Sequence, residues 1–356
     1  MPDMVAGQQS AAVFAATRPL HVGVVGATGN VGTIMLRVLA ERGVPIASLR
    51  AFASSRSAGR ELICGAHAAQ VEDLATADPT GLDVALFSAG ATRAREHAPR
   101  FAEAGCVVID NSSAFRMDDG VPLVVPEVNP EDARAHDGII ANPNCSTIQL
   151  VAALKPLHDA YGLERVVITT FQSVSGTGLA AMDELHTQTT DMLEARDIAA
   201  AVYPHQIAGN VLPHCDTFDA EGHTKEERKL MDESRKILHA PGLRVAATCV
   251  RVPVFVSHAE AVNVELSRPA SPEEVRELLA AAPGVVVEDS PADGLYPMPV
   301  TSAGRDEVCV GRIRRDPSVE NGVSMFVVAD NLRKGAATNA VQILEVLAEA
   351  GTWPST

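Results

Sequence analysis

The chain has 356 residues, 46% of them hydrophobic, with 29 basic against 45 acidic side chains and a formal charge of −16. That length allows two domains with well-filled cores. The charge argues against nucleic acid or an anionic membrane as a partner, and an anionic small substrate would need its own cluster of Arg and Lys. The six cysteines (64, 106, 145, 215, 249 and 309) show no C-x-x-C spacing. Neither a metal site nor a disulfide framework is expected, and a reducing cytoplasm suits them. No apolar run reaches membrane-spanning length. Residues 1–18 carry no positive charge before Arg18, so they read as a disordered tail and not as a secretory signal.

Alternating strand and helix patterns fill the first third and predict βαβ units with a parallel sheet. Residues 21–25 form a buried-strand pattern, followed by Gly26-Ala27-Thr28-Gly29-Asn30-Val31-Gly32 and by apolar residues at helical spacing. Strand, glycine turn and helix are the context of a dinucleotide fingerprint, here spaced G-x-x-G-x-x-G. The glycines let backbone approach a pyrophosphate seated on the helix N-terminus. The next strand, 48–53, runs into Ser54-Ser55-Arg56-Ser57-Ala58-Gly59-Arg60. An NAD site would place a carboxylate there; two guanidiniums and three hydroxyls suit a 2′-phosphate, so NADP is favoured. Strands at 82–87 and 106–110 follow, the second leading to Arg116, which reads as a phosphate clamp or a surface arginine.

In Ile140-Ala141-Asn142-Pro143-Asn144-Cys145-Ser146-Thr147 an apolar run stops at Asn-Pro, and Ile148, Val151 and Leu154 then recur on one helical face. Cys145 is therefore expected in the first turn of a helix, capped by Asn144 or Ser146. Unpaired N–H groups and the positive dipole end favour a thiolate there. Residues 165–171 read as a strand and Gln172-Ser173-Val174-Ser175-Gly176-Thr177-Gly178 as a polar loop suited to a ligand. Residues 179–198 read as helical and 203–223 as irregular, with His205, His214 and His223 lacking metal spacing. A helix is expected from Thr224 to about Leu238, with Glu226 and Lys229 as i,i+3 neighbours, ordinarily a solvated pair. Val-rich strands at 244–250, 259–266, 308–315 and 323–330 predict an antiparallel or mixed sheet. Arg251 and His258 are an odd number of residues apart, so they share a site only if Pro253 breaks the strand. A C-terminal helix is expected at 336–350, packing back on the first domain.

Together these pieces resemble the aspartate-β-semialdehyde dehydrogenases, from about residue 20 to 350. The matching motifs are 26–32, Ser-Arg-Ser-Ala-Gly (55–59), Asn-Pro-Asn-Cys-Ser-Thr (142–147), 172–178, Arg-Val-Pro-Val-Phe-Val-Ser-His (251–258) and Asn-Leu-Arg-Lys-Gly (331–335). The resemblance implies an α/β chain with a Rossmann-type parallel-sheet domain at 19–144, completed by a C-terminal helix within 335–356. An α+β catalytic and dimerisation domain at 145–334 would resemble that of glyceraldehyde-3-phosphate dehydrogenase, in a homodimer or tetramer. It implies NADP-dependent interconversion of aspartyl-4-phosphate and aspartate semialdehyde, in the pathway to lysine, threonine and methionine. Cys145 would be the nucleophile, His258 the general acid/base and Gln172 the residue that orients the substrate. Arg251 would pair with the α-carboxylate, Arg116 and Lys229 with phosphate, and Glu226 with the amino group, beside Asn144. Gly26, Thr28, Gly29, Asn30, Val31, Arg56, Ser57, Ser175, Gly176 and Asn331 would contact the cofactor. The nearest rival, N-acetyl-γ-glutamyl-phosphate reductase, carries Asn-Pro-Gly-Cys, and Asn144 stands against it. A catalytically silent homologue would have lost Cys145 or His258, and both are present.

Overall fold

The computed structural model describes residue 14 and residues 18–351, which divide into two compact units. The N-terminal unit comprises the described residues through Asn144 together with those from Ala336 onward; the central unit is Cys145–Gly335. Among the described residues no helix is long and apolar enough to cross a membrane.

The N-terminal unit is a sheet flanked by helices. Its elements are β1 (Leu20–Val25), α1 (Asn30–Glu41), β2 (Ile46–Ala53), β3 (Glu61–Cys64), β4 (His67–Asp73), β5 (Val84–Phe87), α2 (Ala91–Glu103), β6 (Val107–Asp110), β7 (Ile139–Ala141) and the C-terminal helix Thr338–Ala350. The strand order among the described residues is β3-β4-β2-β1-β5-β6-β7. Every pair is parallel except the β3/β4 hairpin. A parallel sheet needs both faces covered. On one face Val22, Val24, Leu86 and Ile109 pack with Met35 and Leu39 of α1 and with Ile343 and Leu344 of the C-terminal helix. On the other, Phe52 and Phe87 meet Phe101 of α2 edge-on at 5.5 and 5.0 Å. The expected disordered tail lies outside the described residues except at Phe14 and Arg18. Phe14 is buried in the first of these cores, and Arg18 makes a two-pronged pair with Asp83 at 2.9 and 2.6 Å, so both are anchored.

The central unit is a mixed sheet with helices on one face. It contains α3 (Cys145–Tyr161), β8 (Leu163–Gln172), α4 (Leu179–Leu193), α5 (Lys225–Ile237), β9 (Arg244–Arg251), β10 (His258–Leu266), α6 (Pro272–Ala280), β11 (Val285–Val287), β12 (Val308–Asp316) and β13 (Gly322–Ala329). Among the described residues the order is β11-β12-β13-β10-β8-β9. The β8/β9 and β11/β12 pairs are parallel and the others antiparallel. Helix α3 packs on β8, β10 and β13, and α5 on β9 and α3. The predicted helix at 179–198 stops at Leu193, and Ala195 follows with φ 53°.

Candidate active site

In the N-terminal unit Gly26 has φ 78°, and a Cβ there would stand 2.2 Å from the Ser88 carbonyl oxygen. Only glycine fits so close a turn. It brings bare backbone to a cavity of about 490 Å³ at the carboxyl edge of the sheet, also lined by Thr28, Gly29 and Arg56. That is the cradle a dinucleotide needs. Asn30 and Val31 open α1, and Ser57 ends a short 3₁₀ turn; none of the three lines the cavity. Arg60 does not line it either, whereas Arg93 of α2 does. Asp73 and Glu96 also line it, so carboxylates missing from the 54–60 loop arrive from β4 and α2. Ala53 and Asp73 are register partners on adjacent strands, a placement that the order of residues in the chain conceals.

Arg116 is buried in this unit, giving Nε to the Asn142 carbonyl at 3.0 Å and Nη2 to the Asn111 carbonyl at 2.9 Å. Asn142 also donates to Asn111 Oδ1 at 2.7 Å and accepts from Asn339 at 2.6 Å. The Asn-Pro-Asn stretch is thus braced by side chains, and Asn144 is buried at its end.

In the central unit Cys145 is the first residue of α3. The residue before it is Asn144, and Ser146 lies inside the helix. Cys145 is partly exposed, whereas the other five cysteines are buried. Burial pushes Cys64 and Cys215 up to about 11 and raises Cys106, Cys249 and Cys309 as well. These are inert thiols. A Cβ on Gly335 would stand 2.9 Å from the Cβ of Cys145. The glycine of Asn-Leu-Arg-Lys-Gly therefore allows the backbone to pass against the cysteine.

Arg251, Gln172 and His258 come from three adjacent strands. Gln172 is the register partner of Arg251, and His258 stands one residue beyond the Ala259–Phe171 pair. Directly opposed residues share a sheet face, so the three side chains form one row. The chain between Arg251 and His258 leaves the sheet, with Ser257 at φ 74°. This break at Pro253 removes the parity problem.

All three side chains are buried. Gln172 Nε2 donates to Glu226 Oε1 at 3.2 Å, and Lys229 Nζ donates to Glu226 Oε2 at 3.0 Å and to Asp216 at 3.0 Å. The Glu226–Lys229 pair is no solvated pair, because Glu226 is buried under the sheet face. Thr224 and Glu227 close a capping box that fixes this end of α5. Burial works against the Lys229 charge, but Glu226 and Asp216 outweigh it and hold its pKa above that of an ordinary lysine.

Arg251 donates from Nη1 to the Ser173 carbonyl at 2.7 Å, while its buried Nε has no partner. His258 Nδ1 accepts from the Ser173 backbone N–H at 3.0 Å. A backbone N–H only donates, so the neutral ring carries its hydrogen on Nε2. That nitrogen is buried without a partner. Burial, reinforced by Arg251 and opposed by Glu226, holds the His258 pKa down to about 3. A Cβ on Gly176 would lie 3.2 Å from both Arg251 Nη1 and His258 Nε2, so bare backbone leaves space beside them. Asn331 Oδ1 accepts from Ser173 Oγ and Ser175 Oγ, each at 3.1 Å, and from Ser257 N at 2.9 Å. Ser175, Gly176 and Asn331 thus surround His258. Ser173, whose backbone sets the histidine tautomer, was not singled out by the sequence; its signal was only its place in the polar loop.

Residues 21–136 match the family description "Semialdehyde dehydrogenase, NAD binding domain", and residues 154–334 match "Semialdehyde dehydrogenase, dimerisation domain". The chain is 54% identical to the aspartate-semialdehyde dehydrogenase of Aquifex aeolicus, covering 93% of this chain and 98% of that one. A crystal structure of aspartate semialdehyde dehydrogenase II from Vibrio cholerae, complexed with ASA, matches with TM-score 0.91 and 46% identity over 93% of this chain and 98% of that one. The Candida albicans aspartate semialdehyde dehydrogenase with NADP matches with TM-score 0.73 and 28% identity over 93% and 99%. With a nucleotide cradle in one unit and a partly exposed cysteine in the other, the chain belongs to the aspartate-semialdehyde dehydrogenase family, oxidoreductases with an NAD(P)-binding domain.

Proposed function

We propose that the protein converts aspartyl-4-phosphate reversibly to aspartate semialdehyde with NADPH, through a thioester on Cys145, in the cytoplasmic pathway to lysine, threonine and methionine. The observation that carries this is the row Arg251–Gln172–His258, in which Arg251 Nε and His258 Nε2 are buried and unpartnered. Polar groups so placed await a ligand.

The Cys145 sulfur, favoured as thiolate by the helix terminus, attacks the acyl-phosphate carbon; the C–O bond to phosphate breaks and a thioester remains. Arg251 pairs with the α-carboxylate, Glu226 with the amino group, and Lys229 and Arg116 with phosphate; Gln172 orients the substrate and Asn144 completes its site. When bound, the nicotinamide cofactor supplies a hydride that reduces the acyl carbon. His258, the proposed acid/base, offers Nε2–H as a hydrogen-bond donor to the oxyanion formed at Cys145. The oxyanion then re-forms the carbonyl as the C–S bond breaks, which releases the aldehyde and restores the thiolate. The neutral Nε2–H tautomer supports that hydrogen bond; a full acid/base role needs a second proton on Nδ1.

Gly26, Thr28 and Gly29 would hold the pyrophosphate, and Arg56 with Arg93 would meet the 2′-phosphate. The half-exposed sheet face that carries Val167, Thr169, Phe171 and Phe326 supports a homodimer or tetramer built on this unit. Reduction of NADP by aspartate semialdehyde plus phosphate tests the reading, run beside NAD and beside the N-acetyl-γ-glutamyl analogue. Preference for the acetylated aldehyde would overturn it.

A further inference from the structure

Glu260 is a buried ionisable group that the proposed reaction does not use. It lies on β10 two residues after His258, on the same sheet face, opposite Thr170 of β8 and Val327 of β13. Its side chain is wholly buried; among the described residues neither carboxyl oxygen makes a hydrogen bond of good geometry, Gln149 is the side chain within hydrogen-bonding reach, and no cation acts on it. The titratable group nearest along its own strand face is His258. From α3 the side chain that meets it is Gln149.

A carboxylate left bare in such a place is very unfavourable. Burial, opposed by the nearby Gln149 amide, raises the Glu260 pKa well above the carboxylate range. A protonated carboxyl then needs one acceptor. Gln149 Oε1 is buried and has no donor. Each of the two orphaned groups supplies what the other lacks. Gln149 Nε2 donates at 3.3 Å to the backbone carbonyl of His258 itself. Gln149 also follows Cys145 by four residues on α3, one turn along the same helix face.

We propose that Glu260 stays protonated and gives its carboxyl hydrogen to Gln149 Oε1, forming a positioning pair that fixes the start of α3, with Cys145, against the start of β10, with His258. The inference rests on the reading of Cys145 and His258 given above. Neither Gln149 nor Glu260 touches substrate; they act by holding the two residues that do.

The test uses the full chain and the variants Glu260→Gln, Glu260→Met and Gln149→Met. Glutamine keeps an N–H for Gln149 Oε1, whereas methionine fills the space and ends the pairing. Wild-type protein at neutral pH should show the infrared band of a protonated carboxyl, absent from Glu260→Gln. Glu260→Gln should keep kcat within about threefold. Both methionine variants should fold, keep KM and lose about tenfold in kcat, because misplacement of a reacting pair is felt in the chemical step. Absence of the band overturns the proposal, as does wild-type kcat in both methionine variants or an equal loss in Glu260→Gln and Glu260→Met. If the methionine variants do not fold, the band and Glu260→Gln kcat decide. If wild-type protein fails to oxidise aspartate semialdehyde, the functional reading falls separately. The band then still judges the proton, and Cys145 alkylation in Gln149→Met, expected to differ about threefold from wild type, judges the positioning.

Discussion

In the N-terminal unit the stretch 26–32 puts its ligand-facing groups within four residues of one another, at Gly26, Thr28 and Gly29. In the central unit Ser173 and His258, hydrogen-bonded to each other, lie 85 residues apart in the chain. The first arrangement is made by a turn, and what it requires is the absence of a Cβ. The second is made by sheet register, which delivers three long side chains to one row, and what it requires is their chemistry. A turn of this kind is damaged by any added atom; a row of this kind is damaged by losing one functional group while its backbone stands.

The row should therefore fail catalytically and not structurally. Cys145→Ala should bring turnover below detection while NADP still binds, since no thioester forms. Measurable turnover by the purified variant would remove Cys145 as the nucleophile. His258→Ala should lose on the order of 10²–10³ in kcat, the usual worth of a donor that stabilises an oxyanion. Because the ring is held neutral, the wild-type kcat profile should show no His258 inflection between about pH 5 and 8. An inflection there that vanishes in His258→Ala would mean that the ring gains a proton in the working site.

Glycines sharpen the contrast. Gly335→Ala would thrust a methyl to 2.9 Å from the Cys145 Cβ. It should lower kcat by roughly ten- to a hundredfold with NADP affinity kept, because small displacements of a nucleophile are costly. Normal kcat in a folded Gly335→Ala protein would show that the close approach has no bearing on the nucleophile. Nucleotide selection should move less. Arg56→Glu should weaken NADP about tenfold more than NAD, as a repelling charge replaces a phosphate partner. Equal loss for the two cofactors would assign the 2′-phosphate to another residue, Arg93 being the candidate on the same cavity.

The glycine turn, the buried strands and the Asn-Pro-Asn-Cys junction were legible because each is local, with turn chemistry next to a periodic run. The β3/β4 hairpin was not: its strands are half exposed, and Asp73 enters the cavity only through its pairing beside Ala53. Arg251 and His258 were visible as residues, but their meeting depended on β8 lying between β9 and β10. Glu226 and Lys229 looked like a solvated pair because i,i+3 spacing reports a shared helix face and says nothing of what covers it. Glu260 was not singled out at all: it is one polar position in a Val-rich strand, and only the packing around it makes it buried.

The smallest expected effect lies in that buried carboxyl and is one of stability. An unfolded chain releases the Glu260 proton near pH 4.3, whereas the folded protein keeps it to a higher pH. Between those two values the unfolded state binds fewer protons, so this group makes folding less favourable as pH rises, by at most about 1.4 kcal/mol per pH unit. Its contribution is fully present below the unfolded pKa and is lost as pH climbs through the folded one. Glu260→Gln has no such proton to lose and keeps a donor for Gln149. Its melting temperature should match wild type at about pH 4 to 5 and exceed it by a few degrees at about pH 8, the gap widening steadily between. A ladder of thermal melts on both proteins checks this. A gap that is flat with pH would mean that Glu260 releases its proton at an ordinary carboxylate pKa, and one that narrows as pH rises would mean that the folded protein stabilises the charge. The nucleotide turn contains no ionisable side chain, so the same ladder run on Gly26→Ala against wild type should give a gap independent of pH.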